Sequence, residues 1–153
     1  MKKIILLLGM ASSSVTLAQI TDVSDVAKSI KCESIGKVSP IGVFMGEMKK
    51  CPGDVYEFIY RDYKYTKITE IKQFSFADKD GAYEFLYKSI AKGLENPPKD
   101  DVVLKLPEDL LSIKFEKALG ITTATIYHTN KVGITGMTQS FTKKQLDKLF
   151  GKK

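Results

Sequence analysis

Polar and apolar positions change period several times along the chain, and each change marks an element. TDVSDVAKSIK, residues 21–31, puts Val23, Val26, Ala27 and Ile30 on one helical face, with Thr21 or Asp22 placed to cap it. Between Cys32 and Cys51, Ser39-Pro40 reads as a turn joining two short extended runs. Gly42 and Gly46 weaken the second run, which predicts an irregular or edge strand.

The strongest strand pattern follows. Tyr56, Phe58 and Tyr60 alternate with Glu57, Ile59 and Arg61, the two-residue period of a half-buried strand. Arg61-Asp62 reads as a turn, and a second strand runs from about Tyr63 to Phe76. Its parity slips, because Tyr63 and Tyr65 are odd positions whereas Ile68, Phe74 and Phe76 are even; a bulge would reconcile the halves.

DKDGAYEFLYKSIAKGLENPP switches to helical spacing through Ala82, Phe85, Leu86, Ile90 and Leu94, with Asp78 as N-cap and Pro97-Pro98 as terminator. Strands are predicted at Val102–Leu106, Leu111–Lys117, Ile121–His128 and around Val132–Met137. Turns fall at 107–109, 119–120 and 129–131. The end of the chain holds a helix start: Thr142 and Gln145 have capping-box spacing, and Phe141 and Leu146 sit where a hydrophobic staple would. Strands grouped around one central helix predict an α+β fold: a mostly antiparallel sheet with one main packed helix, a short N-terminal helix and a C-terminal helix.

The first residues bear on compartment. Lys2 and Lys3 precede an apolar run from Ile4 to about Leu17, and Thr16-Leu17-Ala18 offers small side chains where a signal peptidase reads. Residues 1–18 are therefore expected to be a cleaved leader, leaving residues 19–153 as one exported domain in the periplasm or outside the cell. The apolar run, broken by Ser12, Ser13 and Ser14, falls short of the roughly 20 residues a membrane span needs. Loss of Lys2 and Lys3 takes the formal charge from +6 to +4. Every cation but Arg61 is lysine, a point charge without the fork that grips phosphate and base edges. Specific nucleic-acid binding is not expected; the partner is an unknown protein or an anionic surface ligand.

In an oxidising compartment Cys32 and Cys51 are expected to pair. Eighteen residues separate them, and closing that loop would stabilise the fold by about 3 kcal/mol on the chain-entropy model. The disulfide would clamp the open end of a hairpin. Cys-x-x-Cys is absent, and two cysteines with one distant histidine do not make a zinc site.

His128, the single histidine, stands at a strand end with no nucleophile and orienting carboxylate that spacing could assign to it. The acidic pairs Glu108-Asp109, Asp100-Asp101 and Asp78 with Asp80 fall in predicted turns or at a helix start, where aspartate serves the backbone. No phosphate loop, nucleophile elbow or zincin motif occurs, so no cofactor or metal is expected. The stretch YEFIYRDYKYTK carries the binding expectation. There Tyr56, Tyr60, Tyr63 and Tyr65 lie among Arg61, Lys64 and Lys67, rings that stack on ligands beside cations that hold an anion. A non-enzymatic binding protein is the leading expectation. The alternative is a small envelope enzyme or inhibitor using a cleft between the sheet and the 78–94 helix.

Overall fold

The structure, a computed structural model, describes residues 31–152. The expected leader and the 21–31 helix lie outside the described residues, apart from Lys31, which belongs to no regular element.

Strands β1 (Glu33–Val38), β2 (Gly46–Cys51), β3 (Val55–Asp62) and β4 (Glu70–Ala77) form an antiparallel sheet in chain order. A second antiparallel sheet runs β5 (Val102–Lys105), β6 (Leu110–Ala118), β7 (Ile121–Thr129), β8 (Thr135–Met137), and β9 (Phe141–Thr142) also pairs with β7. Helix α1 (Ala82–Glu95) connects the sheets, and α2 (Lys143–Leu149) follows β9. The fold is mixed α+β and mostly sheet, with two α-helices among the described residues.

Alternation explains the first sheet. Tyr56, Phe58 and Tyr60 of β3 and Phe74 and Phe76 of β4 all turn inward and are buried. Asp62 keeps the same parity, so Arg61-Asp62 is the end of β3 and not the expected turn. The apparent parity slip is a loop, residues 63–69, closed by the Asp62–Glu70 pair, and β4 pairs with β3 without a bulge. Polar residues at 61 and 62 hid the continuation, because a buried aspartate breaks the pattern by which a strand is read.

A second correction concerns β2, which is an interior strand flanked by β1 and β3. Gly46 stands there for packing: a Cβ would lie 2.9 Å from the Phe58 ring. The edge is β1, whose register shifts between Ser34 and Gly36. At Gly36 a side chain would collide with the Lys148 carbonyl at the end of α2, so α2 can press onto β1.

The Cys32–Cys51 disulfide is present and clamps the open end of the β1–β2 hairpin. Helix α2 begins with the Thr142/Gln145 capping box, and its staple residues Phe141 and Leu146 are fully buried. Asp78 caps α1 from a distance, its Oδ1 accepting from Tyr83 N at 2.9 Å, while Gly81 holds the N-cap position itself. The core fills the space between the sheets and helices. Phe58, Phe74, Leu86, Ile126, Leu149 and Phe150, drawn from all these layers, meet at one interior point.

Candidate functional site

The stretch expected to bind a ligand is divided by the fold. Tyr56 and Tyr60 belong to the core: Tyr56 stacks on Tyr83 of α1 with centroids 4.2 Å apart, and Tyr60 has no exposed surface. Neither ring face is open to a ligand, which removes these two from a shared binding face. Arg61 is half-buried on the outer side of β3. Tyr63, Lys64, Tyr65 and Lys67 lie in the exposed 63–69 loop, with Tyr63 38% and Tyr65 43% accessible. Lys64 reaches over the Tyr65 ring at 5.9 Å.

A polar junction lies where β3 and β4 meet the second sheet. Tyr60 Oη is 3.1 Å from His128 Nδ1, and His128 Nε2 is 2.9 Å from Asp109 Oδ2. Beside it the fully buried Asp62 accepts from Met137 N and Lys64 N and pairs with Lys72 at 2.6 Å. Burial pushes the Asp62 carboxyl upward, but the hydrogen bonds from Lys72 and the two backbone amides outweigh it and hold the group below the usual carboxylate range. Burial, followed by the charges of Asp62, Glu70 and Asp109, pushes the Tyr60 phenol up. Gly136 is required here, since a Cβ would strike Tyr60 Oη.

Inward parity was the signal that could have disclosed this junction. Lys72 shares the phase of Phe74 and Phe76, and His128 that of Ala124 and Ile126. Charged or polar residues in phase with a core face imply buried partners. Chemically the junction joins the sheets. Its phenol and carboxylate have no exposed surface, so neither can meet a substrate. Among the described residues one set of three possible metal-binding side chains converges, Cys32, Cys51 and Glu57, and its sulfurs are already bonded to each other.

The open spaces run along the free edge of β4. A cleft of about 300 Å³ lies between the end of β4, the start of α1 and β5. Phe76, Ala82, Leu86, Leu104, Leu106 and the 61% exposed Phe85 wall it, and Lys79 and Lys105 are its only charged lining residues. A hollow of about 210 Å³ continues along Gln73–Ser75 against the β5–β6 turn. A further one of about 250 Å³ reaches from Glu70 and Lys72 to Asp109 and His128. These three spaces follow β4 from end to end.

Among the described residues no helix is long and apolar enough to cross a membrane. No family model matches the chain, and no curated protein or solved structure matches it.

Proposed function

We propose that the protein is an exported, single-domain, non-enzymatic binding protein of a bacterial envelope or exterior, which takes an apolar group in the cleft between β4, α1 and β5. The observation that carries this reading is the lining of that cleft. Aromatic and aliphatic side chains form its walls, and two lysines stand at its margin. Concave apolar sites with few polar groups are the usual form of ligand pockets. An enzyme or inhibitor working from the same cleft has less support, because the ionisable groups lining it are two exposed lysines. Export is supported by the Lys2-Lys3 and Thr16-Leu17-Ala18 signals and by a disulfide that an oxidising compartment would preserve.

Titration with a naphthalene sulfonate, an apolar ring bearing one anion, tests the reading. Saturable fluorescence enhancement is expected, lost when Ala82→Trp fills the cleft and retained in Tyr63→Ser. Equal binding by Ala82→Trp, with its melting temperature unchanged, would end it.

A further inference from the structure

We infer that the groove along β4 receives an extended peptide of a partner protein, added antiparallel to β4 as a fifth strand of the first sheet, with one apolar side chain in the Phe76–Leu106 cleft. The inference rests on the cleft reading above and names its ligand class.

The backbone supplies the first argument. β4 is an edge strand, paired only with β3. Arg61 N donates to Met45 O at 3.2 Å and Asp78 N to Asp54 O at 2.8 Å, so odd residues of β3 bond β2 and even ones bond β4. By register, Ile71, Gln73 and Ser75 then turn their N–H and C=O groups away from β3, toward the free edge. Among the described residues these groups have no backbone partner. A row of unpaired amides is a template for another strand.

Space is the second argument. The three hollows run beside this edge and are closed on the far side by β5, by the β5–β6 turn and, at the Glu70 end, by His128, Asn130 and Ile134. An exposed edge usually faces open water; this one faces a slot.

Charge sets the partner's chemistry and direction. At the Ala77 end the lining charges are Lys79 and Lys105, and neither makes an ion pair among the described residues. At the Glu70 end the lining carboxylates Glu70, Glu108 and Asp109 outnumber the one lining ammonium group, Lys72. A complementary strand carries an acidic residue at the first end and a basic one at the second. Laid antiparallel, it reads acid, then apolar residue, then alternating strand formers, then base.

The test uses a fluorescent octapeptide that begins Asp, Leu, continues with alternating Thr and Val and ends in Lys, and follows its anisotropy with the full exported chain. Saturable binding is expected, with slowed amide exchange at Gln73 and Ser75. Ser75→Pro removes a free-edge donor without touching the β3 ladder and should weaken the peptide by about tenfold, leaving naphthalene sulfonate binding unchanged. Where that variant fails to fold, N-methylation of the peptide's alternate amides makes the same comparison on the unaltered protein. Peptide binding indifferent to both changes, or absent while the naphthalene probe still binds, would overturn strand addition and spare the cleft. Loss of both probes' binding in the wild type would sink the two readings together.

Discussion

The phenol oxygen of Tyr60 on β3 lies 3.1 Å from Nδ1 of His128 on β7, a bond between the two sheets. Burial keeps the Tyr60 phenol protonated, so phenol and ring nitrogen share one hydrogen bond, and Nε2 on the far side of the ring meets Asp109 Oδ2 at 2.9 Å. Tyr60→Phe leaves Nδ1 buried without its hydrogen-bond partner, so an unfolding free-energy loss of about 1–2 kcal/mol is expected in urea titration. A midpoint unchanged from wild type would show that the bond contributes nothing to sheet docking.

Asp62 has a sharper signature because its effect depends on pH. Its carboxyl titrates below the ordinary value in the folded chain, so the stability it contributes is present above about pH 4 and is lost as the pH falls through the depressed folded value. Asp62→Asn keeps an acceptor for Met137 N and Lys64 N but leaves the Lys72 ammonium only Glu70, 3.7 Å away, as a carboxylate partner. The expected cost at pH 7 is about 3 kcal/mol, and the gap to wild type should narrow below pH 4. Urea unfolding at pH 7 and pH 3 checks this; a gap independent of pH would mean the ion pair is not what Asp62 contributes.

The β6–β7 hairpin offers a gain. Ala118 pairs with Ile121, which leaves Leu119-Gly120 as a two-residue turn with positive φ at both positions, 50° and 80°. A leucine there strains its Cβ against the backbone and lies fully in solvent. Leu119→Asn, the residue such turns prefer, should stabilise by about 1 kcal/mol and raise the melting temperature. A lowered melting temperature would show that Leu119 has an apolar partner in solution.

Period and punctuation made most of the elements legible. The Leu119-Gly120 turn, the Thr142/Gln145 box and the disulfide-clamped hairpin were all readable because each depends on near neighbours. What failed depended on distant ones. Asp62 read as a turn since its partners, Lys72 and Met137, come from other strands, and Gly46 read as a weakness since the Phe58 ring that fills its place comes from the neighbouring strand. The helix-side cleft entered only as part of the alternative reading and without a lining, because its far wall, Leu104–Pro107, arrives from the second sheet.

Tyr63 and Tyr65 carry what is left of the binding expectation first read from the tyrosine-rich stretch. Both lie in the 63–69 loop, each more than a third exposed, and Tyr63 also borders a hollow of about 360 Å³ with Tyr127 and Glu116. Core truncation of such rings costs about 3–5 kcal/mol, whereas surface changes stay within about 0.5 kcal/mol. Replacing both with serine should therefore leave the melting temperature within a few degrees of wild type, with the Tyr63 N to Met137 O bond of 2.7 Å preserved because it involves only backbone. Binding to anionic vesicles, if the Lys64 and Lys67 loop attracts them, should fall in the same variant and fall further in Lys64→Glu with Lys67→Glu. Melting lowered by ten degrees or more, a drop of the size core truncation produces, would make these rings structural and withdraw the loop from any binding role.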